Sequence, residues 1–497
     1  MPEIEHPLHA AFLAVYLFAL VAVGALKAGK IKTQEDFSLA GRGLPGYVLV
    51  GTLLATWIGT GSIFGNAEKG YELGAPALLI PLGSIVGMLL IIAIAGRIRR
   101  FGQFTIQDIL EARFGPAARV LATVALVGAY LVIVSYQYRA GASALTSIFG
   151  MEPVLATSLI AAFVIAYTAL AGMFSVAYTD VANGVMMIIG IFLAIVLLWG
   201  SVGGYEGAVA ALPEGSRAVG DHWTWPVLLG ATLPAFLLIV GDANVYQRFF
   251  SARDVKSAQR AALGMLVGVV VLESAIILLA ILATGMVAQG GMTPPENPGY
   301  IVIHAAFEGL PEVAGTLGTI VGAMLVATVM AVVVSTADSF LLAPSTSLVR
   351  DVYQRFIDPD VSGAAVVRLG RVLVVVTGLV ALALAFSSDE FFSVAIFAYT
   401  IYGCAITPAL FAAFFWRRAT AQGAVASIVT GATVAIAMKV FGGSESVAGA
   451  LGSGALGELW GEVVGEPVLI AFPLSLLALV GVSLATPAPD EEAARVI

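Results

Sequence analysis

The stretch VVVSTADSFLLAPSTSLVRDVY, from Val332 to Tyr353, decides how this chain is interpreted. It continues a long apolar run, yet four oxygen-bearing side chains lie inside it: Ser335, Thr336, Asp338 and Ser339. On a helix these four fall within roughly 160° of one face, because positions three and four apart are neighbours. A carboxylate in hydrocarbon costs about 2.5–3.5 kcal/mol. Asp338 is therefore expected to face a partner, a water-filled cavity or an ion.

The chemistry of this stretch favours a cation. Asp338 lies among hydroxyls, and no basic residue follows it until Arg350. Such a set of oxygens suits a small hard cation. The alternative is a helix whose Ser and Thr hydroxyls bond to backbone carbonyls, with Asp338 protonated.

The composition is that of a polytopic membrane protein. Mean hydropathy is +0.98, and 11% of the residues are charged, whereas soluble proteins have about 25%. Apolar runs long enough to cross about 30 Å of hydrocarbon lie at 10–27, 46–65, 75–96, 118–148, 151–171, 179–200, 225–246, 261–287, 312–349, 366–387, 391–415, 421–441 and 466–486. We therefore predict an all-α membrane protein with about 13 transmembrane helices.

The basic residues predict the orientation. With the N-terminus outside, all but four of the 24 Lys and Arg residues fall at inner connections. The exceptions are Lys69, Arg139, Arg217 and Lys439. Inner loops carry the excess of Lys and Arg, so we predict an outside N-terminus and a cytoplasmic C-terminus in the cell (plasma or inner) membrane.

Other classes of protein are not favoured. The polar stretches are short enough to be loops, which predicts one transmembrane domain over 1–497 and no soluble domain. Cys404 is the single cysteine, so a disulfide framework is excluded. No catalytic constellation or metal-spaced histidine set is visible, which predicts no enzyme and no organic cofactor. The basic residues are spread over inner loops, so we expect no nucleic-acid partner, and no obligate protein partner is evident.

The second span, residues 46–65, contains the sequence Gly-Thr-Gly at residues 59–61, which predicts a break in the helix. Glycine weakens a helix by up to about 1 kcal/mol per residue. Unwound backbone at membrane depth is tolerated beside a cavity, where freed carbonyls can bind an ion. Close helix packing through small residues is the alternative.

Four further charged residues lie in or at the ends of apolar spans. Asp180 and Asp242 lie near span ends, where each could instead be a charge at the membrane interface. Arg139, in the fourth span, could contact a solute carboxylate or pair with an acid. Glu273 lies deeper, and the sequence indicates no partner for it.

These pieces together resemble the sodium:solute symporter family, which includes sodium-coupled proline, sugar, sialic-acid and choline transporters. The resemblance covers roughly residues 10–420. It rests on EDFSLAGRGLPG, ATWIGTGSIFGNAEKGY, TIQDILEARFG, AGMFSVAYTD, YQRFFSARD and, most specifically, STADSFLLAPSTSLVRDVY. The ATW, SVAYTD and S-x-A-D-S stretches resemble the choline-like branch more than the sugar branch.

The resemblance implies a fold of two inverted five-helix repeats, each opening with a broken helix. The first repeat would span residues 46–200 and the second 225–415. Residues 10–27 would form a peripheral helix, and 421–486 two more. Partners would be a small solute, sodium ions and the lipid bilayer.

The resemblance also implies ion ligands. The common sodium site would use the carbonyls of Ala55, Ile58 and Val332 with the hydroxyls of Ser335 and Thr336. A second sodium, which some members bind, would use four side chains: Asp180, Ser335, Asp338 and Ser339. Asp180 and Asp338 have no evident basic partner, which favours two sodium ions per solute, with a proton in place of the second as the alternative.

The solute positions follow from the broken helices in the same way. Trp57, Gly59 and Ser62 would lie at the cavity, and Trp57 suits an amine through cation–π attraction. Other spans would contribute Tyr138, Arg139, Asp242, Asn244 and Tyr399. We therefore expect a symporter that imports an amino acid, quaternary amine or carboxylate-type solute by alternating access. A sodium-independent or proton-coupled carrier, a channel or uniporter, and a sensor without flux are the alternatives.

Overall fold

The computed structural model describes residues 6–28, 33–387, 391–442, 460–461 and 463–490. This part of the chain is helical and contains no strand, only an isolated bridge between Leu44 and Ala252. Its α-helices are α1 Pro7–Ala28, α2 Gln34–Leu39, α3 Gly46–Trp57, α4 Ala67–Leu73, α5 Leu82–Phe101, α6 Ile106–Phe114, α7 Pro116–Phe149, α8 Pro153–Ser201, α9 Gly204–Ala210, α10 Trp225–Gly241, α11 Ala243–Ser251, α12 Val255–Ala288, α13 Ile301–His304, α14 Leu310–Ser347, α15 Gly363–Leu384, α16 Phe391–Phe415, α17 Ala421–Phe441 and α18 Val468–Ala485. The prediction of an all-α membrane protein is confirmed.

The predicted count of thirteen spans is not confirmed. Eleven helices in the described residues are long and apolar enough to cross a membrane, and one bent pair raises the number to twelve. The first predicted span, residues 10–27, lies within α1 Pro7–Ala28, which is not among these helices.

Two of the spans are broken, at the places that the family resemblance implies. The first bends by 57° between Gly46–Trp57 and Gly61–Leu73. Ile58, at the break, has non-helical angles (φ −73°, ψ 87°). The second break separates α10 from α11 at Asp242, which is extended (φ −66°, ψ 115°) and accepts a hydrogen bond from the Val245 backbone N–H as the N-cap of α11. The second and seventh predicted spans therefore each consist of two half-helices.

Helix α14 lies at the centre of the bundle. It packs against α7, α8 and α3, while α1 covers it from the periphery. Its residues from Val321 to Ser347 are buried, apart from a partly buried Met324. The polar side chains of α14 therefore face other helices rather than lipid.

Candidate ion and solute sites

The end of α3 meets the polar face of α14. The Ser335 and Thr336 hydroxyl oxygens lie 3.2 Å and 3.3 Å from the Ala55 carbonyl oxygen. Ile58 is fully buried at the break, and Val332 lies one turn before Thr336 on α14. Because α3 stops here, its last carbonyls lack the helical partners that would otherwise occupy them. The structure thus brings together carbonyl and hydroxyl oxygens at the predicted common sodium site.

Gly59 allows this close approach. A Cβ at this position would lie 2.8 Å from the Thr336 methyl carbon and 3.0 Å from its hydroxyl oxygen. Real Cβ contacts are not this short, so Thr336 would have to move. Gly59 therefore belongs to the ion-site side of the break, although the sequence placed it among the solute residues.

We expect Gly59→Ala to weaken sodium binding, because the added methyl group displaces the Thr336 hydroxyl. The sodium concentration for half-maximal transport should rise about threefold to tenfold, the effect of one lost hydrogen-bonding group. Sodium titrations of uptake measure it. Gly128→Ala is the matched control, because nothing lies within 4 Å of its added Cβ; equal effects of the two changes would contradict the assignment.

Asp180 is joined to the same cluster. Its carboxylate accepts hydrogen bonds from Ser335 and, at 2.5 Å, from the Thr52 hydroxyl. It also forms an ion pair with Arg248, whose terminal nitrogen lies 3.6 Å from the carboxylate. All these groups are buried. Ser335 therefore links the common site to a buried charge pair.

Arg248 is the residue that sequence reasoning missed. The charge count placed it in an inner loop, but its side chain is only 1% exposed. Its guanidinium donates to Thr52 at 3.0 Å and to Ser339 at 2.6 Å. The break at Asp242 starts α11 inside the bundle, which places Arg248 beside α3 and α14. The inference that Asp180 has no basic partner was wrong.

Asp338 lies in a different environment. It accepts a hydrogen bond from Thr168, in the first half of α8, and it makes no ion pair with any residue that the structure describes. Of the four residues predicted for a second sodium, Asp180, Ser335 and Ser339 thus belong to one cluster with Arg248, and Asp338 lies apart from it. Asp180 contacts Ser335, Ser339 contacts Arg248, and Asp338 contacts Thr168.

A small cavity lies on the other side of the first break. Its volume is about 30 Å³, which is room for about two water molecules. Three predicted solute residues line it, namely Trp57, Ser62 and Tyr399. The other lining residues are Gly61, Asn66, Ile80, Pro81, Ser84, Ala231, Ala235, Glu273, Phe392, Ala395 and Ile396.

The remaining predicted solute residues are not among the residues that line this cavity. Asp242 caps α11 and accepts a hydrogen bond from Tyr130 at 3.1 Å. Tyr138 is fully buried, with its hydroxyl beside Gly378 of α15. The Arg139 guanidinium lies over the Phe391 ring at 5.5 Å. Asn244 is buried on α11.

Glu273 of α12 reaches into the cavity. One carboxylate oxygen accepts hydrogen bonds from the Trp57 indole N–H at 3.0 Å and from Ser62 at 3.2 Å, and the other lies 3.3 Å from the Ser84 hydroxyl oxygen. The sequence identified Glu273 as a deep carboxylate but gave no sign of Ser84, which carries no charge and belongs to another span. Residues of α3, of the helical segment after the first break and of α5 thus meet at the Glu273 carboxylate.

A wider vestibule adjoins the small cavity. Its volume is about 260 Å³, and the two spaces share Ile80, Ala231, Phe392 and Ile396. Lys69, Lys439 and Glu466 lie around it. Burial raises the pKa of Glu466 to about 7, an effect that Lys439 and Lys69 partly offset. The vestibule provides space through which a solute could approach Trp57.

Comparison with known proteins identifies the family to which this arrangement belongs. The sequence model of the sodium:solute symporter family matches residues 37–431. The chain belongs to the sodium:solute symporter family. Members of this family are sodium-coupled solute transporters and not enzymes, and the chain is accordingly a multi-pass membrane protein that carries a solute together with sodium.

Relatives are similar over most of their length. The sodium/proline symporter of Haemophilus influenzae is 28% identical over 455 residues, covering 86% of this chain and 87% of that protein. The high-affinity proline transporter of Bacillus subtilis is 24% identical and covers 95% of this chain and 97% of its own. A sodium-coupled sialic acid symporter, solved in a substrate-bound, outward-open state, is 19% identical with a TM-score of 0.81 over 97% of this chain and 99% of its own. This structural likeness shows the shared fold.

Proposed function

We propose that this symporter imports an amino-acid-like solute, with one sodium ion bound at the first helix break. The ligands would be the carbonyls of Ala55, Ile58 and Val332 with the Ser335 and Thr336 hydroxyls. The observation that carries this proposal is the convergence of both hydroxyls on the Ala55 carbonyl. Hydroxyl and carbonyl oxygens are the ligands that hard cations take.

The coupling follows from the position of the break. A sodium ion there would hold the end of α3 against α14. Trp57 and Ser62, which line the small cavity, flank the same break. An ion that fixes the break therefore also fixes the solute cavity, and the solute must in turn raise the affinity for sodium by the same factor.

A second sodium at Asp180, Ser335, Asp338 and Ser339 stays part of the proposal, with a proton as its alternative. One sodium moving down 100 mV and a tenfold gradient releases about 3.7 kcal/mol, and two release about 7.4 kcal/mol. In the present arrangement the Arg248 guanidinium lies between Asp180 and Ser339. A second ion would require this guanidinium to move aside.

We propose the cell membrane as the location, with the N-terminus outside and the C-terminus in the cytoplasm. The sequence repeats would be 46–200 and 225–415, with 10–27 and 421–486 peripheral. Proline is the first solute to test, because two of the relatives named above are a sodium/proline symporter and a proline transporter. The choline-like branch stays a prediction.

The experiment is uptake into proteoliposomes under an imposed sodium gradient. Proline, betaine, choline, acetate, pantothenate and glucose form the panel. Accumulation of one solute above its outside concentration, abolished when sodium is replaced by potassium, supports the proposal. Flux that only equilibrates the solute would indicate a uniporter, and accumulation driven by a proton gradient alone would indicate a proton-coupled carrier.

Trp57→Ala should raise the solute concentration for half-maximal uptake more than it changes the sodium dependence. The indole lines the cavity and donates to Glu273, and loss of an aromatic contact to an amine is worth about 0.5–2 kcal/mol. We therefore expect an increase of about twofold to thirtyfold. Kinetics of uptake at saturating sodium measure it. Unchanged solute affinity with a lowered melting temperature would instead mean that Trp57 is a packing residue.

A further inference from the structure

We propose that Glu273 is the group that recognises a positively charged nitrogen on the solute, so that this symporter selects ammonium-bearing molecules. The inference rests on the proposed solute cavity and names the chemical class that the cavity takes. It concerns a carboxylate to which the motifs of the family resemblance assign no role.

The hydrogen bonds of Glu273 fit an ionised carboxylate. Trp57 and Ser62 donate to it, and Ser84 makes a longer contact with it at 3.3 Å, because its hydroxyl also donates to the Pro81 carbonyl at 2.8 Å. An indole N–H can only donate, and an ionised carboxylate can only accept. The three contacts divide between the two oxygens, so the carboxylate is held in place at the cavity that Glu273 lines. The carboxylate is therefore pre-positioned as an acceptor.

The charge of this carboxylate is not balanced by a neighbouring side chain. Glu273 is 4% exposed and makes no ion pair with any residue that the structure describes. It is also the only charged residue among those that line the small cavity, which include no Lys, Arg or His. A buried charge without a partner is unfavourable by several kcal/mol. A cation that enters the cavity would remove this cost, whereas a neutral or anionic group would not.

Aromatic rings complete the environment. Trp57, Phe392 and Tyr399 line the same cavity, and aromatic faces attract ammonium groups. A secondary, tertiary or quaternary ammonium group suits a carboxylate flanked by rings.

The test compares ligands that carry a positively charged nitrogen with ligands that do not. Purified full-length protein in saturating sodium is titrated with proline, prolinamide and choline, which carry a positive nitrogen, and with cyclopentanecarboxylate and glucose, which do not. The rise in melting temperature reports binding. We expect stabilisation by members of the first group and none by the second.

Glu273→Gln keeps the shape of the side chain and removes its charge. We expect the concentration of the ammonium-bearing ligand that gives half-maximal stabilisation to rise about thirtyfold or more. Removing the charge on one side of a buried charge pair has at least this effect. Glu273→Asp keeps the charge, so the ligand concentration for half-maximal stabilisation should rise less than in Glu273→Gln. Glu72→Gln is the control, because Glu72 pairs with Lys69 away from the small cavity.

Several results would overturn the inference. They are wild-type affinity for ammonium compounds in Glu273→Gln, equal stabilisation by proline and cyclopentanecarboxylate, or no stabilisation by any ammonium compound. Stabilisation by sodium alone is measured in parallel, and its persistence in Glu273→Gln shows that the variant is folded. If the sodium response fails in the wild type while the charge selectivity holds, the proposed sodium site is wrong and the role of Glu273 stands.

Discussion

Removing both hydroxyls at the first helix break, by Ser335→Ala with Thr336→Ala, is expected to raise the sodium concentration for half-maximal transport about thirtyfold or more. Each neutral hydroxyl contributes about 1 kcal/mol as a hydrogen-bonding group, and two such losses at one ion correspond to this factor. Both hydroxyls lie within 3.3 Å of the Ala55 carbonyl. The expected effect is therefore on sodium first and on the solute only through coupling.

The single variants separate two roles. Ser335 also donates to Asp180, whereas Thr336 is not hydrogen-bonded to that carboxylate. Thr336→Ala therefore tests the ion site alone, and Thr336→Ser, which keeps the hydroxyl, should retain near wild-type sodium affinity. Ser345→Ala is the matched control on the same helix, because the Ser345 hydroxyl bonds only to the Leu342 carbonyl. Sodium titrations of uptake and of melting temperature measure these effects. Unchanged sodium dependence in the double variant would eliminate this site.

The sequence was sufficient to predict the helical membrane fold, and the family resemblance implied that Ser335 and Thr336 lie opposite the end of α3; a sodium site there stays a prediction. Ser335 and Thr336 are adjacent in a motif, and Gly59 marks the break that faces them. These features are local in sequence, and the hydrophobic pattern indicates that they lie within membrane spans. The predicted meeting of the Ala55 carbonyl with both hydroxyls accordingly agrees with the structure.

The parts that could not be predicted depend on contacts across the bundle. Arg248 follows a helix break, so its position in the chain resembles that of a loop residue, although it is buried against Thr52 and Ser339. Glu273 and Ser84 are separated by 189 positions, and neither spacing nor charge reveals their contact. Asp242 was a candidate solute residue, but as the N-cap of α11 it also has a structural role. The contacts of these residues depend on how helices that are distant in sequence pack against each other.

Arg248→Gln is expected to be the most destabilising single change considered for this protein when sodium is absent. It leaves Asp180 buried with its hydroxyl donors but without a counter-charge. Breaking a buried ion pair by removing one partner costs about 3–5 kcal/mol. We therefore expect a lower melting temperature in potassium buffer, with a shift larger than that of the control Arg355→Gln, whose side chain is 52% exposed.

Asp180→Asn in combination with Arg248→Gln tests whether the two residues act as a pair. Removing both charges leaves neither one unbalanced, so the double variant should be more stable than Arg248→Gln alone. Interaction energies of 0.5–3 kcal/mol are typical of residues in contact. Simple addition of the two single effects would contradict the pair.

The single variant Arg248→Gln also tests the number of coupling ions. If the guanidinium occupies the place of a second cation, its removal should open Asp180 and Ser339 to sodium. Sodium would then raise the melting temperature of Arg248→Gln more than that of the wild type, because an ion that binds only the folded state stabilises it by an amount that grows with the ratio of the ion concentration to its dissociation constant. In that case the wild type should move the charge of one sodium ion for each solute molecule. A wild-type ratio of two, lowered by Asp338→Asn, would instead mean that Arg248 moves aside during transport and that the second ion binds beside it.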